Sequence, residues 1–376
     1  MTHRRVNWRA WADDERRAIR AGGRWREPRD FDAAGPEGKL APDGRPVVSY
    51  ASNDYLGLTQ HPDVVQAAHA ALDRWGAGAG SARLIVGSRP VHAELEAALA
   101  DWKRTEGAVV FPTGFATNLG VMTTFGGPGV VVYSDELNHA SIIDGCRLSR
   151  GRVEVYRHTD IDHLRDLLGT APAGGRRVVV TDTVFSMDGD VAPVEELVDT
   201  CIRHGALLVL DEAHAVLGPD PGLDAVDGLD VLRIGTLSKT LGALGGFVAG
   251  PAALTDLVVN RARSYIFTTA PSPADAAAAL AAVGVVRSSE GSALRAGLRE
   301  NVERLRPGHP SPIVPVVLGD EARTLAAAAA LLDQGMLVPA IRPPTVAPGT
   351  SRLRVALSAA HTPTQVDALR VALDEL

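Results

Sequence analysis

Short apolar runs ending near Phe111, Ser134, Tyr156, Thr181, Asp211 and Lys239 recur along this chain, and most are separated by stretches long enough for a helix. Strands of this kind, apolar on both faces, belong in a mainly parallel sheet covered by helices on each side. The expected fold is therefore α/β. Ligands of such sheets collect at the carboxyl ends of the strands, and that is where the polar residues of this chain fall.

Either side of this alternation the pattern changes. Residues 7–25 read as an arginine-rich amphipathic helix, followed by a Gly/Pro-containing connection through Pro46. The alanine-rich stretch 275–287 predicts a helix leading to a final section with strands at 314–318 and 353–357 and a helix at 326–332. The expected organisation is an N-terminal helix and connecting segment over 1–47, a large domain over 48–285 and a smaller α+β domain over 286–376. At 376 residues and 45% hydrophobic composition the chain can bury such a core.

A formal net charge of −7 argues against general capture of nucleic acid, and the arginines are dispersed except for a cluster between Arg4 and Arg29 that reads as a solvated helix. No uninterrupted apolar run reaches membrane-spanning length, and the N-terminus lacks the apolar core of a signal peptide. Cys146 and Cys201 are isolated, without metal-ligand spacing. These features predict a cytoplasmic protein with no nucleic-acid or membrane partner and no metal.

Only three lysines stand among the 38 basic residues; the rest are arginines, whose guanidinium stays protonated and cannot act as a free amine. Lys39 reads as part of a Gly/Pro-rich loop and Lys103, beside Arg104, as a solvated surface cation. Lys239 closes the apolar run 231–239, 28 residues after Asp211, itself followed by His214. An amine, an acid and an imidazole at strand ends suit pyridoxal phosphate (PLP). The aldehyde of PLP condenses with a lysine, its pyridine nitrogen needs a carboxylate, and its phosphate needs backbone amides and hydroxyls. Taken singly, each residue has a plainer reading: Lys239 as a snorkelling surface residue, Asp211 as a helix N-cap, Ser186 as a turn residue, Arg354 as a solvent-facing strand residue. Asp211 to His214 also spells a helicase motif, but no G-x-x-x-x-G-K-[ST] loop accompanies it.

Seven motifs stand in one order: Ser52 to Gly57, Thr113 to Asn118, Asn138 to Ser141, Val184 to Asp190, Asp211 to His214, Thr236 to Thr240, and Arg342 to Thr345 followed by Arg352-Leu353-Arg354. From about residue 48 to the C-terminus the chain resembles the α-oxoamine synthases, PLP-dependent enzymes of the aspartate aminotransferase fold (fold type I). Within that family it looks most like the branch that joins L-alanine to a pimeloyl thioester in biotin synthesis.

The resemblance implies a role for each matched position. Lys239 carries the cofactor, Asp211 pairs with the pyridinium nitrogen, His139 lies against the ring, and His214 bonds the phenolic oxygen. Gly114 and Phe115 offer backbone amides to the phosphate at a helix N-terminus, and Thr236 adds a hydroxyl. Thr268 or Thr269 reaches the phosphate from a neighbouring subunit of a homodimer. Ser186 contacts the phenolic oxygen or the substrate carboxylate, and Arg354, with Asn53, grips that carboxylate. Thr345 and an N-terminal arginine, Arg26 or Arg24, touch the acyl substrate.

The implied activity is that of an acyltransferase. The amino acid condenses with an acyl thioester, delivered by coenzyme A or a carrier protein, and carbon dioxide is lost. The chain has Ser81-Ala82-Arg83 where the family commonly has Gly-Ser-Arg or Gly-Thr-Arg, and its segment 215–222 is shorter and poorer in glycine than the usual loop. The small Ala82 leaves room beside Cα, in keeping with alanine as donor. Other readings are an α-oxoamine synthase with a different amino acid or acyl group, such as a glycine C-acyltransferase, 5-aminolevulinate synthase or secondary-metabolite enzyme, and a non-catalytic binding protein that keeps the fold.

Overall fold

The structure, a computed structural model, describes residues 7–172, 174–220, 222 and 228–376. Of the positions weighed above, Arg4, Arg5 and Pro221 lie outside the described residues.

The first helix, α1 (Trp8–Ala21), is capped by the Asn7 side chain, and none of its residues is buried. The connection after it is more ordered than its glycines and prolines predict. It carries three short strands, β1 (Phe31–Ala33), β2 (Glu37–Leu40) and β3 (Arg45–Ser49), in antiparallel sequence. Lys39 thus lies on β2 and not in a loop. Then come α2 (Pro62–Trp75) and α3 (Pro90–Lys103), each begun by a proline whose missing N–H costs nothing in the first turn.

The large sheet is built from β4 (Gly107–Phe111), α4 (Gly114–Phe125), β5 (Val130–Asp135), α5 (Ala140–Leu148), β6 (Arg152–Tyr156), α6 (Ile161–Gly169), β7 (Arg176–Asp182), α7 (Val194–His204), β8 (Leu207–Asp211), β9 (Val231–Thr236) and β10 (Gly246–Gly250). Its strand order is β4-β10-β9-β8-β7-β5-β6. The neighbours from β9 through β6 pair in parallel, while β10 runs antiparallel to both β4 and β9. Strand β10 was not expected. Its run Gly246-Phe247-Val248-Ala249-Gly250 follows β9 too closely for a crossover helix, which is why it can only enter the sheet antiparallel.

One face of the sheet is covered by α4 and α5 with α8 (Ala252–Arg261) and α9 (Arg263–Ile266), burying Val121, Met122, Ile142 and Val258. The other is covered by α6 and α7, through Leu164, Leu168, Leu197 and Cys201. A third core joins α2, α3 and the alanine-rich α10 (Pro273–Arg287) to the C-terminal elements. Those are α11 (Ser289–Leu305), β11 (Ile313–Gly319), α12 (Glu321–Asp333), β12 (Met336–Leu337), β13 (Ala340–Ile341), β14 (Ser351–Ala356) and α13 (Pro363–Asp374). β14 sits between β11 and β13 in an antiparallel sheet, and β12 adds to β3 in parallel.

Because β5, β7, β8 and β9 run in parallel, their carboxyl ends lie along one edge of the sheet. Asp135, Asp182, Asp211 and Thr236 stand there, and Asp182 is the register partner of Asp211. Among the described residues no helix is long and apolar enough to cross a membrane, and no group of histidine, cysteine and acidic side chains could hold a metal ion.

Candidate active site

Strand β9 stops at Thr236, so Lys239 stands in the turn beyond it rather than on the strand. That turn is stitched to the start of β10: the Leu237 N–H donates to Gly245 O, the Thr236 hydroxyl donates to the same carbonyl, and the Gly242 N–H donates to Lys239 O. Gly242 has φ +61°, and a Cβ there would sit 2.5 Å from the backbone nitrogen of Thr59. Glycine is therefore what lets the lysine turn press against the 54–60 loop.

The half-buried Lys239 places Nζ 2.8 Å from Nε2 of the buried His214, whose Nδ1 is 2.6 Å from the Tyr55 hydroxyl. Tyr55 donates to Asn53 Oδ1 at 3.1 Å, and the same oxygen accepts from Arg354 Nη2 at 3.1 Å. A continuous hydrogen-bonded row thus runs from the lysine amine to a buried arginine on β14. Arg354 is steadied further by donating Nε to the Ser186 carbonyl. Burial pulls the Lys239 amine below its ordinary pKa, against the opposing pull of Asp211 and Asp182. Burial, reinforced by Lys239 and Arg354, holds His214 well below the usual imidazole range, so it is neutral.

Asp211 closes β8. One of its oxygens accepts from the Ala213 N–H at 2.9 Å within a turn and the other accepts from Asn118 Nδ2 at 2.7 Å; no helix starts at Asp211, so it is not a helix N-cap. Burial, and next the charge of Asp211, raise the pKa of Asp182 well above the carboxylate range; its Oδ2 accepts from the His139 backbone N–H at 2.7 Å. His139 caps α5 and is exposed at the cavity, yet desolvation by the atoms packed behind its ring lowers its pKa.

These groups line a cavity of about 210 Å³ with Thr113, Gly114, Phe115, Asn118, Ser141, Thr236 and Ser238. At one end stands the N-terminus of α4, capped by Thr113, facing the Thr236 and Ser238 hydroxyls, which are 2.7 Å apart. A Cβ on Gly246 would lie 2.5 Å from the Gly114 nitrogen, and one on Gly114 would lie 3.3 Å from Thr236 Cβ. This is a cradle of glycine backbone and hydroxyls built for an anion. An amine with lowered pKa, a carboxylate at the opposite wall and an anion cradle are the three attachments PLP requires, so the residues present fit that cofactor.

Of the residues singled out from sequence, Lys239, Asp211, His214, His139, Gly114, Phe115 and Thr236 meet at this cavity, with Asn53 and Arg354 joined to it through Tyr55. Ser186 meets Arg354 by its carbonyl. Arg26 and Thr345 are exposed and do not line the cavity. Nor do Thr268 and Thr269, which follow the exposed Phe267. Arg83 is occupied by a two-pronged pair with Glu96. Lys103 is not a solvated cation: it pairs at 2.6 Å with Glu212, which also holds the buried Arg233, and it lies over the Trp102 ring. Tyr55, Asn118, Ser141 and Asp182 carried no role in the sequence reading, although all but Asp182 stand inside the quoted motifs.

Fold and site together are those of a fold type I, PLP-dependent transferase. The chain belongs to the aminotransferase class I and II family, whose profile matches residues 45–373, and within it to the α-oxoamine synthases, which are PLP-dependent acyltransferases. It is 52% identical over 345 residues to the 8-amino-7-oxononanoate synthase of Anaeromyxobacter dehalogenans, covering 88% of this chain and 86% of that one. It is 47% identical over 377 residues to that of Alkalilimnicola ehrlichii, covering 96% and 95%. Among solved structures it is similar to a serine palmitoyltransferase variant from S. paucimobilis carrying PLP joined to myriocin, with TM-score 0.89, 32% identity and coverage of 97% and 96%. The 8-amino-7-oxononanoate synthase of Francisella tularensis shares the fold, at TM-score 0.73 and 23% identity, covering 88% of this chain and 97% of that one.

Proposed function

We propose that this chain condenses L-alanine with a pimeloyl thioester, of coenzyme A or of a carrier protein, giving 8-amino-7-oxononanoate, carbon dioxide and the free thiol, a step of biotin synthesis in the cytoplasm. The observation that carries the reading is the row from the Lys239 amine through His214, Tyr55 and Asn53 to Arg354. It supports reading Lys239 as the catalytic amine and Arg354 as the carboxylate-binding guanidinium on the two sides of one amino-acid site. The names of relatives about half identical over most of the chain supply the acyl partner.

When bound, PLP supplies the electron sink that accepts the pair left behind at the substrate Cα. The residues of the chain do the rest. Lys239 would anchor the cofactor, and its amine, lowered in pKa by burial, would take the Cα proton. Asp211 would pair with the pyridine nitrogen and keep it protonated, His139 would pack against the ring, and His214 would meet the phenolic oxygen. Gly114, Phe115 and Thr236 hold the phosphate, with Thr268 or Thr269 of a second copy. Arg354 and Asn53 hold the alanine carboxylate, steadied by the Ser186 carbonyl. Arg26 and Thr345, both at the surface, meet the acyl chain. We assign the cofactor to the large domain formed by residues 48–285, with 1–47 as an N-terminal helix and connecting segment and 286–376 as a smaller domain.

A homodimer is in keeping with exposed apolar residues on the chain. Ile85 is 74% and Phe267 69% exposed, and the segment 83–87 that bears Ile85 packs against α9, which ends just before Phe267. The test is to incubate the protein with PLP, labelled alanine and pimeloyl-coenzyme A and to weigh the product. The wild type is expected to turn yellow and to form a product lighter than the sum of its acyl and amino-acid parts by one carbon dioxide. Lys239→Ala is expected to do neither, with turnover down by more than about a thousandfold. A colourless wild type, or product from glycine or serine but not alanine, would overturn the reading.

A further inference from the structure

Asn118 and Ser141 are both buried and lie between two groups given separate roles above, Asp211 and His139. Asn118 Nδ2 is 2.7 Å from Asp211 Oδ2 and 2.9 Å from Ser141 Oγ. Ser141 Oγ is 2.7 Å from His139 Nδ1, and the Ser141 backbone N–H points at that same nitrogen at 3.2 Å.

The direction of every bond in this row follows from what each atom is able to donate. An ionised carboxylate only accepts, so the amide group of Asn118 that faces Asp211 is its NH2 and not its carbonyl oxygen. That group has two hydrogens: one goes to Asp211 and the other to Ser141 Oγ. Ser141 Oγ, already an acceptor, turns its single hydrogen toward His139. A backbone N–H is always a donor, so His139 Nδ1 receives two donors. It must present a lone pair, and the ring proton of the neutral imidazole is left on Nε2.

We infer that Asn118 and Ser141 are positioning residues that lock His139 as the neutral, Nε2-protonated tautomer and tie that choice to the Asp211 carboxylate. This inference rests on the function proposed above for His139 and Asp211. It assigns the imidazole a definite task, since with its proton on Nε2 and its lone pair consumed at Nδ1, the ring offers the cofactor and substrate a hydrogen-bond donor and no base. The proton taken from Cα is left to Lys239. The Asn118 carbonyl oxygen is buried and has no hydrogen-bond partner among the described residues, a cost tolerated in order to aim the NH2 group at Asp211.

The experiment uses full-length protein with 15N-labelled histidine, free of cofactor, in long-range proton–nitrogen spectra, with the His139 signals assigned by their loss in His139→Asn. Wild type is expected to show an unprotonated Nδ1 and a protonated Nε2. Ser141→Ala and Asn118→Ala are expected to scramble the tautomer, and Ser141→Thr, which keeps the hydroxyl, to restore it. Asn118→Ala is also expected to weaken PLP retention in dialysis by about tenfold, the scale of one hydrogen bond to a charged group. A wild-type ring protonated on Nδ1, or variants that remain folded with an unchanged tautomer, would overturn the inference. A locked Nε2–H tautomer that both variants scramble supports it even in protein that takes up no cofactor, an outcome that would sink only the function proposed above.

Discussion

Asp182 is the residue whose energetics contrast most with its neighbours. It stands opposite Asp211 in the β7–β8 register, and two buried carboxylates side by side cannot both hold a charge without cost. Burial and Asp211 raise its folded-state pKa above the ordinary 3.8. An acid whose folded pKa is raised costs stability above its unfolded pKa, and that cost fades as pH falls back to it. Asp182→Asn is therefore expected to raise the melting temperature of the cofactor-free protein at neutral pH by about 1–3 °C, with a gain that shrinks as the pH approaches 3.8. Calorimetry across that range checks it. A loss of stability at neutral pH would contradict a raised folded-state pKa for Asp182.

Among the elements, the ends of β5 and β6 are tied by one imidazole. His158 lies 3.0 Å from Asp135 through Nδ1 and 2.6 Å from Asp190 through Nε2, with its ring edge-on to Phe185. Burial disfavours its charge, but the hydrogen bonds to the two carboxylates overcome that and push its pKa from 6.5 up to about 10. A histidine pKa raised on folding adds stability that is complete below 6.5 and is lost as the pH climbs toward about 10. His158→Gln is expected to melt below the wild type at mildly acidic pH, by about 1–3 °C given the partial exposure of the pair. The two curves should converge at alkaline pH. Parallel thermal melts decide it; a gap that widens with pH would contradict the assignment.

At the same scale, β5, β7, β8 and β9 were legible because buried parallel strands are short and largely apolar. Strand β10 was not, since a five-residue run with glycine at both ends looks like the rest of the loop after Lys239; only its pairing with β4 and β9 makes it a strand. The strands β1 to β3 were hidden for the same reason. Lys103 was misread because nothing local announces that Glu212, more than a hundred residues on, would draw it in.

For the whole molecule, the proposed homodimer would cover the exposed apolar residues at 84–86 and 267. Ile85→Asp would bury a carboxylate at that interface. Light scattering is expected to show the dimer dissociation constant raised by about a hundredfold, with PLP retention falling in step under the proposal that Thr268 or Thr269 reaches the phosphate from a second copy. A chain that is monomeric before the substitution would refute this.

Local sequence alone determined the alternation of strands and helices, the choice of Lys239 over the other amines and the placing of Asp211 and His214 at a strand end, because strand periodicity and residue chemistry act over a few neighbours. Tertiary structure alone decided which side chains those groups meet: Asp182 beside Asp211, Asn118 and Ser141 between Asp211 and His139, Tyr55 bridging His214 to Asn53 and Arg354. The physical reason is that hydrogen bonds and desolvation act over a few ångströms of space, and the sheet brings together residues that are far apart along the chain.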